Sequence, residues 1–300
     1  EVYILILPAW GVVSDLLAVF ARKPAFGYKV TAVCMCTIVT LSGIVWGHHM
    51  YTSGMSPLLG KAFMFLTLLI SIPSSIFFLN WLGTLWRGNL KFETPMLFAM
   101  SVMWVFALGG LTGLYNATIT SDLYVHDSYF VVGHFHYTMA ASVLFAGMAA
   151  IYYWFPKMFG KTMNPLLGKI HFWLSFVPLN LVFFNMMVMG YAGHHRRLFD
   201  PSEYDFLAPV LGLNEFMTWS AFVLGAGQLF FLYNFIDSLV RGEKAEKNPW
   251  QAATLEWTVD APIPHGNYAV VPTVHNGPHE YSNPKVTDRD WIAQSEPIPG

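Results

Sequence analysis

Residues 129–155 read YFVVGHFHYTMAASVLFAGMAAIYYWF, an apolar run long enough to cross a bilayer as one helix, with His134 and His136 inside it. Ionisable side chains at membrane depth are rare and mark function by default. Two interpretations are open for each histidine: a packing residue satisfied by a neighbouring helix, or a ligand. Residues two apart on an α-helix are turned by about 200°, so the two imidazoles are predicted to face nearly opposite sides of the crossing.

Composition places this run in a membrane protein. The 300 residues are 55% hydrophobic and 11% charged, far below the roughly 25% charged residues of soluble domains. The prediction is an all-α, polytopic transmembrane helix bundle whose surrounding partner is the lipid bilayer. A net charge of −2 and the lack of a basic stripe argue against nucleic acid as a partner.

Seven long apolar segments are predicted to cross the membrane. They lie near 2–20, 28–47, 62–86, 96–116, 129–155, 167–192 and 208–240. The loops after the first, third, fifth and seventh segments carry most of the Lys and Arg, which predicts that these loops lie on the inner side of the membrane. Residues 1–242 are therefore interpreted as the bundle and 243–300 as a polar, extended tail on the inner side. The start at Glu1, inside a helix pattern, is typical of a fragment or a processed chain.

Further polar residues stand out against this background. Adjacent His48 and His49 diverge by about 100° on a regular helix, so one metal could take both only if the helix is irregular near Gly47. Imidazole suits copper, iron and zinc. His126 with Asp127 fits either a hard divalent ion or an ordinary polar loop. We interpret His171, His194 and His195 as structural.

The motifs occur in a specific order along the chain. They are EVYILILPAWG (1–11), AFGYKV (25–30), VWGHHMYTSGM (45–55), GGLTG (109–113), VHDSYFVVGHFHY (125–137), HHRRLFD (194–200) and TLEWTV (254–259). From residue 1 to about residue 270 the chain closely resembles the carboxyl-terminal portion of the catalytic subunit I of haem–copper oxygen reductases, the cytochrome c and quinol oxidases of respiration. The resemblance implies that these are the seven carboxyl-terminal helices of a twelve-helix subunit.

The resemblance also implies two haems, a copper and a magnesium or manganese ion. It implies that His134 is the axial ligand of the high-spin haem, that His136 is an axial ligand of the low-spin haem, and that His48 and His49 bind copper. It also implies that Arg196 and Arg197 contact the haem propionates and that His126 and Asp127 form the magnesium or manganese site. The implied catalytic groups that handle protons are Tyr3 and Glu1. A further copper ligand and the second low-spin ligand are expected upstream of Glu1. Implied partners are oxidase subunits II and III, oxygen, and cytochrome c or quinol as electron donor.

One segment departs from the family pattern. SIPSSIFF (71–78) has Ser74 at the position of a threonine and Phe77 where a lysine of a second proton path is expected. This departure puts the usual second path, and with it proton pumping, in question. It indicates a divergent branch and favours a bacterial cytoplasmic membrane over the mitochondrial inner membrane.

Three function classes follow. The first is a terminal oxidase that reduces oxygen to water with four electrons at a haem–copper binuclear centre, coupled to proton uptake and pumping. The second is a nitric oxide reductase-like enzyme on the same scaffold, which Phe77 permits and Tyr3 argues against. The third is a non-redox transporter whose histidines relay protons. The joint occurrence of the histidine motifs favours the first class.

Overall fold

The computed structural model describes residues 2–298, and Glu1 lies outside the described residues. Within this range the chain forms nine α-helices and no β-strand. The helices are α1 (Val2–Ala21), α2 (Tyr28–Val45), α3 (Pro57–Leu85), α4 (Thr94–Ala117), α5 (Ile119–Val125), α6 (Tyr129–Phe135), α7 (Ser142–Phe159), α8 (Pro165–Tyr191) and α9 (Leu211–Arg241). A 3-10 turn, Trp46–Met50, prolongs α2, and a π-helical turn, His136–Ala141, joins α6 to α7.

The described residues contain seven helical stretches that are long and apolar enough to cross a membrane, which confirms the predicted number. The two largest differences from the predicted boundaries are in the third and fifth stretches. The third stretch begins at Pro57 because Ser56 caps it by accepting a hydrogen bond from the Leu59 amide. The fifth runs from Tyr129 to Phe159 in three pieces, of which the middle one is the π-helical turn.

Burial is uneven across the bundle. Helix α1 is the central element: Trp10, Leu16 and Leu17 are fully buried, and α1 packs on α3, α4 and α7. Helix α4 packs on α7, α6 packs on α8, and α8 pairs with α9. By contrast α2 and α9 expose most of their length. Of the candidate ligands, His134 lies on α6 and His136 in the π-helical turn, both next to α4, whereas His48 and His49 lie in the 3-10 turn that packs on α3.

The two ends of the bundle differ in their coverage. We call the end at which α1, α3, α7 and α9 finish the inner end, and the opposite end, with α5, the outer end. Beyond Arg241 the chain forms one short 3-10 turn, Leu255–Thr258, and otherwise irregular structure. This tail packs on the bundle and buries Ala252, Trp257 and Tyr281.

Candidate functional site

His134 lies near the carboxyl end of α6 and faces α4. Its Nδ1 is 2.9 Å from the Gly109 carbonyl oxygen and 3.1 Å from Thr112 Oγ1. A carbonyl oxygen can only accept, so Nδ1 carries the proton and donates. In the neutral ring Nε2 then holds the lone pair, which is the state that a metal ligand requires.

The GGLTG motif explains how α4 approaches His134 so closely. A Cβ on Gly113 would stand 2.9 Å from His134 Cε1, and a Cβ on Gly109 would stand 2.8 Å from the Thr138 backbone nitrogen. Gly113 therefore leaves room for the imidazole, and Gly109 lets the backbone after His134 approach α4. The Thr112 hydroxyl donates to the Gly109 carbonyl at 2.9 Å. Its oxygen is then a second acceptor for the His134 Nδ1 proton.

His136 faces the other side of the crossing, as predicted. Its ring stacks on Phe183 of α8 with centroids 4.5 Å apart, and its Nδ1 is 2.8 Å from the Val132 carbonyl oxygen. By the same reasoning Nδ1 donates and Nε2 holds the lone pair. A Cβ on Gly133 would stand 2.7 Å from the Phe183 carbonyl oxygen, so Gly133 allows α6 and α8 to meet here.

His48 and His49 lie in the 3-10 turn after α2, which confirms the predicted irregularity near Gly47. Their ring centroids are 4.2 Å apart. His48 Nδ1 is 3.1 Å from Thr67 Oγ1, and that hydroxyl donates to the Phe63 carbonyl at 2.6 Å. Since the Thr67 proton is already engaged, His48 Nδ1 donates and Nε2 again holds the lone pair.

The histidines of α2 and α6 belong to one neighbourhood. His49 and His134 both interact electrostatically with His48. Residues 2–298 contain no group of three or more His, Cys, Asp or Glu side chains that could hold a metal ion by themselves. The donor chemistry still fits haem iron and copper, because His134, His136 and His48 share one tautomer and each ring is oriented by a hydrogen bond through Nδ1.

His171 and His194 have a different environment. His171 Nδ1 is 3.1 Å from the Tyr152 hydroxyl and its Nε2 is 3.1 Å from Gln228 Oε1. His194 Nδ1 donates to the His195 carbonyl at 2.8 Å, and its Nε2 lies 3.3 Å from Asn214 Nδ2. Both ring nitrogens are engaged in each case, which agrees with the structural interpretation of these two residues.

At the outer end, His126 and Asp127, which were predicted to act together, each contact a different residue. His126 Nδ1 lies 2.9 Å from the Asp122 carboxylate, whereas Asp127 forms an ion pair of 2.5 Å with Arg196. Burial raises the pKa of Asp122, against the opposing effect of His126. The carboxylate oxygens and the imidazole nitrogens of this cluster are suitable ligands for a divalent cation.

Arg196 retains a donor for a further group. Its Nε is buried and has no hydrogen-bond partner among residues 2–298. A buried guanidinium N–H without an acceptor is costly, and a carboxylate is its best partner. Arg197 follows with a positive φ of 67° and is exposed. This arrangement fits an anionic group such as a haem propionate.

Tyr3 is half-buried on α1, and Ser74 of α3 faces its hydroxyl. One turn further along α3, Phe77 is 1% exposed and its ring centroid lies 4.7 Å from that of Trp10. The position where a lysine was expected is therefore occupied by an aromatic ring inside an apolar cluster. Glu1, the second predicted catalytic residue, lies outside the described residues.

Sequence reasoning missed three residues that orient the candidate ligands: Thr67, Thr112 and Asp122. Asp122 and His126 are four apart on a short helix, a spacing that could have indicated their contact. For Thr67 and Thr112 the sequence carries no such signal, because each contacts a histidine on a different helix.

Comparisons with known proteins identify the family of this chain. Residues 1–226 match the family described as cytochrome c and quinol oxidase polypeptide I. The chain is 43% identical over its whole length to the alternative cytochrome c oxidase subunit 1 of Bradyrhizobium diazoefficiens, covering 51% of that protein. It is also 43% identical to the cytochrome c oxidase subunit 1 of Synechocystis sp., with 93% of this chain and 50% of that protein covered. The chain thus spans about half the length of these relatives.

A solved structure supports the fold. A cryo-EM structure of a heme-copper terminal oxidase dimer matches 82% of this chain and 48% of its own chain with a TM-score of 0.71 at 20% sequence identity. The fold and the histidine site together define an integral membrane protein of the haem–copper oxidase class. Within this class the chain belongs to the cytochrome c and quinol oxidase polypeptide I family.

Proposed function

We propose that this chain is the carboxyl-terminal part of the catalytic subunit of a terminal respiratory oxidase, which reduces oxygen to water with four electrons. The observation that carries the proposal is the common state of His134, His136 and His48, each donating through Nδ1 and presenting Nε2. Such oriented imidazoles are typical of metal ligands. The names of the relatives, cytochrome c oxidase subunit 1, support oxygen as the substrate.

Each histidine has a separate role in the proposal. His134 would hold the iron of a high-spin haem through Nε2, and His136 would hold a low-spin haem on the opposite side of the same crossing. His48 and His49 would hold copper, with a third nitrogen from outside residues 2–298. When bound, the haems and copper supply electron transfer and the redox chemistry of oxygen. The contribution of the chain is to orient the ligands and to exclude water.

The remaining polar residues would handle protons and anions. Tyr3 would supply a proton and an electron from its phenol, and Glu1 would deliver protons to the site. Arg196 and Arg197 would bind haem propionates, which the unpartnered Arg196 Nε supports. His126 and Asp127 would bind magnesium or manganese at the outer end.

The whole enzyme would contain more than this chain. We infer oxidase subunits II and III as partners and cytochrome c or quinol as donor, in a bacterial cytoplasmic membrane. The bacterial sources of the relatives support this location. The apolar cluster around Phe77 argues against a proton route through this part of α3, so the proposed proton uptake would use another route.

The decisive experiment is a set of reduced-minus-oxidised and carbon monoxide difference spectra, with copper analysis, on the full-length subunit purified with its partners. Two haem signals, of which one binds carbon monoxide, together with copper are expected. A preparation without haem or copper would overturn the proposal and favour a proton-relay transporter. Turnover with nitric oxide but not with oxygen would instead favour the reductase alternative.

A further inference from the structure

A carboxylate of membrane helix α1 contacts a histidine of the tail. Asp15 Oδ1 lies 2.5 Å from His279 Nε2, and the two side chains are 30% and 10% exposed. Asp15 is on the part of α1 that approaches the inner end. Ionisable groups in a membrane-length helix are costly, and those with a defined partner are functional candidates. This pair is separate from the candidate haem and copper ligands.

The tail is also fixed to α1 by a contact that stays charged near neutral pH. Arg22, which follows α1, has a fully buried side chain and reaches both Asp290 oxygens, at 2.9 Å and 2.6 Å. Its remaining nitrogen donates to the Trp250 and Gln251 carbonyls. The Arg22 guanidinium holds the pKa of Asp290 below its usual range, so this ion pair stays charged near neutral pH.

Other titratable groups surround the Asp15–His279 pair. Tyr281 is buried beside Arg22, and burial raises the pKa of its phenol well above its ordinary value. Tyr153 of α7 and Glu256 of the tail face the same region, and Asp15 interacts electrostatically with both tyrosines. The remaining charged neighbour in the sequence is Glu280. His279 is the imidazole among these carboxylates and phenols.

A polar group is enclosed beneath this contact. The Tyr153 hydroxyl is buried without a hydrogen-bond partner among the described residues, and its ring lies 5.1 Å from that of Trp257 in the tail. A buried, unpaired hydroxyl gains free energy when water reaches it. Movement of the tail away from α1 would provide that access.

We propose that Asp15 and His279 form a proton-binding latch between helix α1 and the tail at the inner end. When His279 holds a second ring proton, the contact is an ion pair between imidazolium and carboxylate. When that proton leaves to solvent, a hydrogen bond between neutral imidazole and carboxylate remains, which is the weaker contact. The turn around His279, in which the Tyr281 amide donates to the His279 carbonyl at 3.1 Å, then loosens. The Ser282 amide and hydroxyl, which donate to the Asp290 carbonyl at 2.7 Å and the Arg22 carbonyl at 2.8 Å, keep the following residues in place. The packing of the tail on α1 thus depends on whether His279 at the inner end holds its second ring proton.

Hydrogen–deuterium exchange of the whole oxidase in lipid nanodiscs tests the latch. Protection of peptides from 275–283, corrected for intrinsic exchange, is compared at about pH 5.5 and about pH 8.5, on either side of the histidine range. Protection is expected to fall by about tenfold at the higher pH, in line with the greater strength of charge-assisted hydrogen bonds. His279→Gln and Asp15→Asn should remove this pH dependence. His265→Gln, which changes an exposed tail histidine, should retain it.

Protection that is equal at both pH values in the unaltered protein would overturn the latch. So would an unchanged pH dependence in His279→Gln. Peptides from α1 serve as an internal reference for folding. If Asp15→Asn lowers their protection, His279→Gln, which alters only the tail, decides the result.

Discussion

His134 and His171 are both histidines of membrane helices, yet their surroundings differ. At His134, α4 offers only acceptors to Nδ1, and Gly113 leaves room beside the ring. At His171, Tyr152 and Gln228 engage both nitrogens, and the residue is fully buried among α4, α7, α8 and α9. One site leaves a nitrogen for a metal, whereas the other completes the hydrogen bonding within the bundle.

The difference gives a structural criterion for separating a candidate ligand from a packing residue. Both residues are imidazoles at membrane depth, so neither residue type nor hydropathy separates them. The number of ring nitrogens that the protein itself satisfies does separate them. This criterion places His136 and His48 with His134, and His194 with His171.

The largest expected effect is on cofactor content. In the full-length subunit, His134→Ala should abolish the high-spin haem signal and oxygen reduction, while His136→Ala should abolish the low-spin signal. The reason is that each substitution removes the proposed axial ligand on a different side of the crossing. Optical spectra of the purified proteins measure both signals. Equal loss of both haems in each variant, with the fold intact, would contradict separate roles.

Orientation of His48 should matter almost as much. Thr67→Val removes the oxygen that accepts from His48 Nδ1, and loss of such outer contacts typically lowers metal affinity by about 10–100-fold. Copper content per haem, measured by elemental analysis after dialysis against a chelator, should fall accordingly. Thr40→Val is the matched control, since Thr40 is exposed and donates only to its own helix at Cys36. Similar copper loss in both variants would argue against a role for Thr67.

Space beside His134 gives a finer test. Gly113→Ala places a methyl group 2.9 Å from His134 Cε1, and such overpacking costs about 1–3 kcal/mol. We expect a shifted high-spin haem band and lower turnover, because the methyl group would displace the imidazole from its position against α4. Gly110→Ala should leave both unchanged, because its nearest neighbour there is Phe106 at an ordinary 3.8 Å. An unaltered Gly113→Ala spectrum would show that the ring can move freely.

His171 should behave in the opposite way. His171→Leu leaves the Tyr152 hydroxyl and Gln228 Oε1 without their partners and should lower the free energy of unfolding by about 1–3 kcal/mol. Both haem signals should remain. Thermal unfolding followed by haem absorbance measures the two quantities together. Loss of one haem with normal stability would place His171 among the ligands and contradict the distinction between His134 and His171.

The smallest effect concerns the tail, where no metal is involved. Arg22 holds the pKa of Asp290 below its usual range, so this pair contributes fully above about pH 4 and loses its contribution as the pH falls below that value. Asp290→Asn should remove this acid-dependent part of tail protection in hydrogen exchange. Asp260→Asn is the control, since the Asp260 side chain is 88% exposed and lies 3.6 Å from Lys247. Identical acid profiles for the unaltered protein and Asp290→Asn would refute the assignment.

Several features were predictable because they depend on local sequence. The membrane crossings follow from the length of apolar runs, since a bilayer sets a minimum helix length. The opposite directions of His134 and His136 follow from helix periodicity alone. The irregular turn at His48 and His49 follows from Gly47, against which Phe63 packs so closely that a Cβ would stand 2.4 Å from its ring.

Other features depend on contacts between distant segments. The tail reads as polar and extended, yet Tyr281 is buried and Asp290 reaches Arg22 across 268 positions of sequence. The ion pair between Asp127 and Arg196, which are far apart in the sequence, was equally invisible. No pattern of residue types encodes such pairings.

The sequence by itself determined the membrane class, the seven crossings and the residues able to bind metals, because hydropathy and side-chain chemistry are local properties. Only the tertiary structure decided which histidine nitrogens remain for a metal. That outcome depends on the carbonyl, hydroxyl or amide that a neighbouring helix brings within about 3 Å, the distance over which hydrogen bonds act. Helix packing, and not residue identity, therefore separates His134 from His171.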